Sequence, residues 1–248
     1  METIKKVILF AALVCALSAC GSDDDAPAIQ QYAGAPTVKA LPITVESAMR
    51  NGAFQGDLKL ATIGVGVDGG SSKEWTATGI AVAEKIAGQG VDSVEVSVRR
   101  NDIHEKQGVR FREVAHVYYS PDPAHSVWRD GQKWKILQAD PSGLSTQKDV
   151  DLYEDYDALH EGYIEKDMDS DLADKKAGAA IAKKYHLQAD WSLPSGNDMN
   201  PEVQRSSMNI DDSAAVAGIA PLDACLKDQL DKIFVRCDGG SGNTSTSQ

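Results

Sequence analysis

Apolar and polar residues alternate along residues 58–67 and again along residues 91–99. This spacing places every second side chain on the same face of an extended chain, so both segments are predicted β-strands. Between them, residues 74–86 carry apolar side chains at helical spacing, and Gly88 and Gly90 follow as helix-ending residues. The chain is therefore expected to contain a strand, a helix and a second strand in that order.

More strands are predicted after this unit. One covers residues 109–119, and residues 127–128 and 134–137 flank Asp130-Gly131. An Asp-Gly pair tolerates the positive φ angles of a type I′ turn, so this pattern predicts a β-hairpin.

The pattern changes to helical spacing from residue 146 onward, most clearly over residues 173–185, while residues 192–209 are polar and predict a loop. The sequence therefore predicts an α+β fold: a mixed, mostly antiparallel sheet in the order β-α-β-β-β-β, followed by a helical C-terminal part.

The N-terminus has the composition of an export signal. Lys5 and Lys6 precede an apolar stretch, residues 7–17, that is too short to span a bilayer comfortably, and small residues precede Cys20. Residues 1–19 are therefore predicted to be a signal peptide.

The sequence Leu17-Ser18-Ala19-Cys20 resembles the lipobox of bacterial lipoproteins. The resemblance implies that diacylglycerol is attached to the Cys20 thiol, that cleavage makes Cys20 the first residue, and that its amino group is commonly acylated with a fatty acid such as palmitate. Gly21 follows the cysteine, and in this family that position implies the outer membrane rather than inner-membrane retention. No family resemblance is found for the rest of the chain.

Two or more acyl chains hold a protein stably on a bilayer, whereas one holds it only marginally. We therefore expect the lipid bilayer to be a partner through acylated Cys20, with the protein in the cell envelope on the periplasmic face of the outer membrane. The run Asp23-Asp24-Asp25 resembles the acidic surface-export tags of some lipoproteins, which leaves the cell surface as an alternative.

Composition divides the mature chain into four parts. Residues 20–40 are rich in Ala, Pro, Gln and Asp and predict a flexible tether. Residues 41–140 are the predicted α+β domain, residues 141–237 a mainly helical acidic segment packed on it, and residues 238–248 a disordered tail.

Two cysteines remain after the signal segment and the lipidation site, Cys225 and Cys237. An even pair in an oxidising compartment predicts a disulfide, with two free thiols as the alternative. A continuous helix would hold these residues about 18 Å apart, yet a disulfide needs Cα atoms within about 7 Å. The chain must then reverse, and we predict a helix over residues 222–230 and an extended return over residues 232–236.

The chain is acidic, with a formal net charge of −12, which argues against a nucleic-acid partner. Residues 149–174 alone carry eleven carboxylates and one lysine. Asp167, Asp169 and Asp171 have the spacing of a calcium loop, but the turn glycine and the bidentate glutamate of that loop are missing. They remain weak calcium candidates; no metal site is predicted, and a solvated acidic face is expected.

The sequence Gly-Val-Gly-Val-Asp-Gly at residues 64–69 is the one motif typical of a cofactor enzyme, because it follows a strand and precedes a helix. Arg99 and Arg100 end the next strand, where a 2′-phosphate would lie. The helix pattern begins only at Ser72, however, too late for a pyrophosphate at the helix terminus. The glycines are better explained as small residues on one sheet face, and no cofactor is predicted.

Catalytic motifs are also lacking. The five histidines are scattered, without a zinc-binding pair, and no nucleophile elbow is present. His116 shares a strand face with Val114 and Tyr118 and is predicted to be a packed or edge histidine rather than a base. No catalytic residue is predicted, although a triad built from distant residues stays open.

Four aromatic side chains are the candidate partner-binding residues: Tyr118, Tyr119, Trp128 and Trp134. They would pack in the core or across strands by default, but if exposed they would anchor a partner.

An export anchor without a catalytic motif predicts a non-enzymatic, envelope-anchored lipoprotein. We expect it to act as a scaffold or as an accessory interaction component of a cell-envelope assembly, with an envelope protein as partner. Two alternatives stay open: a periplasmic binding module for a small ligand or peptide, and an exported enzyme without a recognisable motif.

Overall fold

The computed structural model describes residues 31–54, 57–188, 190–199, 202–227 and 234–237. The predicted signal peptide, the lipidation site Cys20 and the predicted tail 238–248 lie outside the described residues. None of the described helices is long and apolar enough to cross a membrane.

The described ranges contain strands and helices in the following order: β1 (Thr37–Lys39), β2 (Thr44–Phe54), β3 (Leu58–Val67), α1 (Ser72–Ala87), β4 (Ser93–Arg100), β5 (Glu113–Tyr119), β6 (Trp134–Gln138), α2 (Gln147–Ile164), α3 (Ser170–Tyr185), β7 (Asn209–Asp211), α4 (Ser213–Lys227) and β8 (Phe234–Cys237). Two short 3₁₀ turns, Pro123–His125 and Arg205–Ser207, lie in the connections.

The main sheet has the strand order β6-β5-β4-β3-β2-β8. Only β3 and β4 pair in parallel, and the other neighbours are antiparallel. A separate small sheet pairs β1 with β7 in parallel. The predicted α+β class, with a mixed, mostly antiparallel sheet followed by helices, is confirmed.

Helix α1 joins the two parallel strands and covers one face of the sheet. Ser71 caps its first turn together with Glu74 in a reciprocal capping box. A Cβ added at Gly79 would lie 2.8 Å from Val117 Cγ2 and 3.2 Å from Val98 Cγ2, so the absence of a side chain there allows the helix backbone to approach the sheet closely.

The main core lies between α1 and this face of the sheet. Val94, Val96 and Val98 of β4 are fully buried there. Helix α4 packs against α1 and β2, so its buried residues, Ile219 among them, belong to the same apolar cluster. Burial of these branched side chains is the main stabilising contribution to the fold.

Helices α2 and α3 pack on each other and form a smaller unit. Thr146 caps α2 with Asp149 in a second capping box. A separate apolar cluster links α2 to residues 101–112, where the Arg110 guanidinium lies 3.6 Å from the centre of the Tyr153 ring. Helical structure after residue 146 was expected from the sequence.

Regular structure is present before residue 41, within the segment predicted to be a tether. Thr37–Lys39 form β1, and Ala40 is fully buried. The Asn209 amide holds the approach to this strand, because it accepts a hydrogen bond from Tyr32 N at 2.6 Å and donates to Tyr32 O and Ala35 O. The predicted boundary at residue 40 is therefore too late.

The predicted hairpin around Asp130-Gly131 is wrong. Strand β6 pairs antiparallel with β5, and residues 120–133 form the connection. Val127 is not in a strand: its backbone N–H donates to Ser93 Oγ at 3.1 Å, and its side chain is buried. The hydroxyls of Ser93, Ser120 and Ser126 hydrogen-bond to one another and fix this loop on the sheet.

The described chain ends with helix α4 and then strand β8, the order of elements that the cysteine argument predicted. Helix α4 begins at Ser213, earlier than the predicted residue 222, and β8 returns antiparallel along β2. Cys225 forms a disulfide bond. The backbone of Cys237 ends β8, but its side chain lies outside the described part, so its pairing with Cys225 stays a prediction.

Candidate functional site

The face of the sheet opposite α1 carries a charged and aromatic surface. Alternation along β4 places Glu95, Ser97 and Arg99 on this face because the valines between them face α1. Register carries the pattern across the sheet, where Glu95 pairs with Tyr118, and Tyr118 pairs with Lys135. These three side chains form one cross-strand row.

Two β-bulges add carboxylates to this face. Val45 pairs with Val65 and Ser47 with Gly64, so Glu46 is the extra residue of the first bulge. In β5, a second register shift lets Glu113 face the same side as His116, three residues away, which regular alternation would forbid. Bulges commonly redirect side chains in this way.

Glu46 is the centre of an ion-pair network. It accepts a hydrogen bond from Arg99 at 3.1 Å and two from Arg112. The network needs the glycines below it, since a Cβ at Gly64 would lie 2.7 Å from Arg99 Cζ, and one at Gly66 would lie 2.9 Å from Glu46 Oε1. Both glycines lie inside β3, which explains the glycine-rich motif as space for crossing side chains.

His116 lies between two carboxylates. Its Nδ1 is 2.8 Å from Glu113 Oε1 and its Nε2 is 2.9 Å from Glu95 Oε1. Burial acts to lower the pKa of His116, but the hydrogen bonds to Glu113 and Glu95 outweigh it and raise the pKa to about 9. Burial likewise acts to raise the pKa of Glu113, yet the hydrogen bond from His116 holds it below the ordinary value.

The chemical consequence is that His116 is an imidazolium at neutral pH with both N–H groups donated. An imidazolium has no lone pair with which to accept a proton or bind a metal. The interpretation of His116 as a packed or edge histidine rather than a base stays a prediction.

The four candidate aromatic residues are divided between the two faces of the sheet. Tyr118 contacts Trp128 edge to face, with ring centroids 5.2 Å apart, and stacks on His116 at 4.5 Å. Tyr119 stacks on Trp134 at 3.9 Å, and this pair packs against the main core. Only the first pair belongs to the charged face.

Tyr118 and Trp128 line an open pocket of about 320 Å³. Its other walls are Glu95, Asp130 and Lys135. The Lys135 Nζ lies 5.6 Å from the centre of the Tyr118 ring. We call this feature the aromatic pocket, and we take it as the candidate functional site.

A larger cleft of about 520 Å³ lies between residues 101–106 and α2. Two cations in its wall form ion pairs: Lys106 Nζ is 2.7 Å from Glu154 Oε2, and the Arg112 guanidinium is bound to Glu46. Among the described residues that line this cleft there is no tyrosine or tryptophan, in contrast to the aromatic pocket.

The weak calcium candidates are used locally. The Asp169 carboxylate caps α3 by accepting hydrogen bonds from Asp171 N and Leu172 N at 3.1 and 3.3 Å. Asp167 has a positive φ of 58° in the turn before it. Within the residues that the structure describes, no group of three or more His, Cys, Asp or Glu side chains is placed to hold a metal ion.

Sequence reasoning named Tyr118 and Trp128 but missed Glu95, Asp130 and Lys135. Alternation could have placed Glu95 and Lys135 on one face with Tyr118. The position of Asp130 could not be found that way, because the loop that carries it was predicted to be a hairpin turn.

This chain matches no known protein family, no curated protein and no solved structure.

Proposed function

We propose that this chain is a non-enzymatic, lipid-anchored protein of the bacterial envelope that binds a partner protein through the aromatic pocket. The observation that carries the proposal is that Tyr118 and Trp128 contact each other in the wall of an open pocket. The charged side chains of Glu95, Asp130 and Lys135 line the same pocket. Aromatic side chains in a partly enclosed pocket with polar neighbours are typical anchors of protein interfaces.

The neighbouring charges support binding rather than catalysis. Glu46 is neutralised by Arg99 and Arg112, while Glu95 and Glu113 share the proton-bearing His116. A catalytic acid or base must be free to exchange a proton with a substrate. These groups instead bind one another and stiffen the sheet beneath the pocket.

The lipid anchor is supported by the lipobox resemblance at Leu17-Ser18-Ala19-Cys20. An anchored domain meets its partner at the membrane surface, where a short tether raises the effective concentration. A surface pocket of moderate size is then sufficient for a stable assembly.

Site-specific photocrosslinking in cells tests the proposal. A photoreactive residue at the exposed Gln132, beside the pocket-lining Asp130, is expected to give one discrete protein adduct that disappears with Trp128→Ala. The same residue at the exposed Lys148 of α2 is the matched control and should give no such adduct. Equal adducts from the pocket position and from Lys148, or an adduct at the pocket position that Trp128→Ala leaves unchanged, would contradict the proposal.

The pocket volume of about 320 Å³ also favours a second candidate, a binding module for a small ligand or short peptide. Native mass spectrometry of protein extracted from envelopes distinguishes the two. A retained small molecule that Trp128→Ala removes, without a protein adduct at Gln132, would support the module instead.

A further inference from the structure

We infer that the aromatic pocket receives a lysine side chain of the partner, and that the Lys135 ammonium lies near the Tyr118 ring until the partner's ammonium group displaces it. The inference rests on the proposed function and adds the chemistry of the group that is recognised.

The aromatic walls present a negative surface to a cation. An ammonium group is attracted to the face of a tyrosine or tryptophan ring within about 6 Å of its centroid. Lys135 Nζ already lies 5.6 Å from the Tyr118 centroid, inside this limit. His116 stacks on the Tyr118 ring at 4.5 Å and Trp128 meets it edge to face, which fixes the ring.

Two carboxylates, Glu95 and Asp130, line the pocket. Glu95 is already paired with His116, so Asp130, which accepts a hydrogen bond from Gln132 N at 2.9 Å, is the carboxylate that favours an incoming cation. Within the described ranges, Lys135 forms no ion pair with either of them or with any other carboxylate. An ammonium group that enters more deeply would gain contacts that Lys135 does not make.

Long-range electrostatics favour the same partner. The chain has a net charge of −12, and residues 149–174 concentrate eleven of its carboxylates. A field of this sign accelerates the approach of a basic segment and repels an acidic one. We therefore assign the occupant to a lysine in a basic segment of the partner protein.

The substitution Lys135→Ala distinguishes a pocket for a cation from a pocket for an anion, because the two assignments predict opposite changes in binding. If Lys135 were instead the ligand for an anionic group, Lys135→Ala would weaken binding. If Lys135 competes with an incoming ammonium, Lys135→Ala strengthens binding. The sign of this single effect decides between the two.

The test is a titration of the full chain, purified in detergent, with N-acetyl-lysine methylamide. Binding is followed by the NMR shift of the Trp128 indole N–H, which is assigned by Trp128→Phe. We expect the neutral norleucine analogue to bind more weakly, and the glutamate analogue to give no shift. Lys135→Ala should lower Kd by about two- to fivefold, the range of one exposed cation–π contact.

Matched variants control for charge alone. Asp130→Asn is expected to raise Kd, whereas Asp122→Asn, in the same connection but outside the pocket wall, should not. Lys133→Ala is the corresponding control for Lys135→Ala. A Kd raised by Lys135→Ala, or equal Kd values for the lysine and norleucine probes, would overturn the inference. The photocrosslinking result is independent of these values, so a partner captured at Gln132 together with a failed titration would leave the proposed function standing.

Discussion

Arg205 donates a hydrogen bond to Glu84 across 3.1 Å, and their side chains are only 4% and 15% exposed. The pair joins α1 to the 3₁₀ turn ahead of β7. Burial raises the pKa of Glu84 even though Arg205 acts to lower it. Arg205 also donates to Met208 O at 2.9 Å and lies over the Tyr32 ring, so it connects three segments of the chain.

We expect Glu84→Ala to lower the free energy of unfolding by about 3 kcal/mol, because it removes the carboxylate that pairs with the buried Arg205 guanidinium. Urea denaturation measures the effect. Glu161→Ala, at an exposed position of α2, is the control and should change it by less than about 0.5 kcal/mol. The double substitution Glu84→Leu with Arg205→Met should recover much of the loss; no recovery would show that the single loss does not come from the broken ion pair.

The stability contribution of His116 should depend on pH. Its folded-state pKa is raised from 6.5 to about 9, so the native state holds the proton more tightly than the unfolded state does. This contribution is fully present below pH 6.5 and is lost as pH rises through 9. Between these pH values, the free energy of unfolding of the wild type should fall by up to about 3 kcal/mol relative to that of His116→Gln. Denaturation curves that stay parallel from pH 6 to pH 9.5 would contradict the assignment.

Gly64→Ala is expected to destabilise the protein by about 1–3 kcal/mol, since the new Cβ would lie 2.5 Å from Ser47 Oγ and 2.7 Å from Arg99 Cζ. Gly162→Ala provides a control of opposite sign. No atom outside its own helix approaches that position within 4 Å, and alanine in a helix is favoured over glycine by about 1 kcal/mol. Thermal melts should give a lower Tm for Gly64→Ala and a higher Tm for Gly162→Ala. A Gly64→Ala protein as stable as wild type would contradict the claim that Gly64 is needed for the close approach of Ser47 and Arg99.

The predicted disulfide between Cys225 and Cys237 should be found intact by mass spectrometry of non-reduced peptides. Removing it with Cys237→Ser is expected to lower stability by about 2–3 kcal/mol, because a short loop is no longer closed in the unfolded chain. Reduction of the wild type should reproduce the change, whereas reduction of the variant should add nothing. Alkylation of both thiols in protein from the envelope would exclude the bridge.

Cys20→Ala is expected to release the protein from the membrane fraction, because the chain then has no acyl anchor. Fractionation of cells followed by alkaline carbonate extraction measures this. Cys225→Ser is the matched control and should remain in the membrane pellet. An alanine variant that resists extraction would contradict the lipoprotein assignment.

Regular periodicity explains which parts of the fold could be predicted. The strands β3 and β4 and the helix α1 have unbroken patterns of period two or 3.6, and each was located from sequence. Strand β2 was missed because register shifts near Glu46 and Asn51 break its alternation. Strand β1 has only three residues, and its pairing with β7 depends on contacts far along the chain.

The candidate site shows the same division. Alternation places Glu95 and Arg99 on one face, but the partner of Arg99 is Glu46, 53 residues away and in a bulge. The prediction of a tight hairpin within residues 120–133 failed because Asp-Gly also occurs in turns of longer loops. Its conformation depends instead on the buried hydroxyls of Ser93, Ser120 and Ser126.

The contacts between Tyr32 and Asn209 have a mechanical consequence. A pull on the residues ahead of Tyr32 is met first by the Asn209 amide and then by β1, whose three residues pair in parallel with β7. A force directed along β1 loads these hydrogen bonds in shear, all at once, rather than one after another. Strand β7 is preceded in the chain by the turn that contains the buried Arg205 and is followed by α4. If the protein is held at its N-terminus, drag on it would therefore act first on the β1–β7 pairing and the Asn209 contacts.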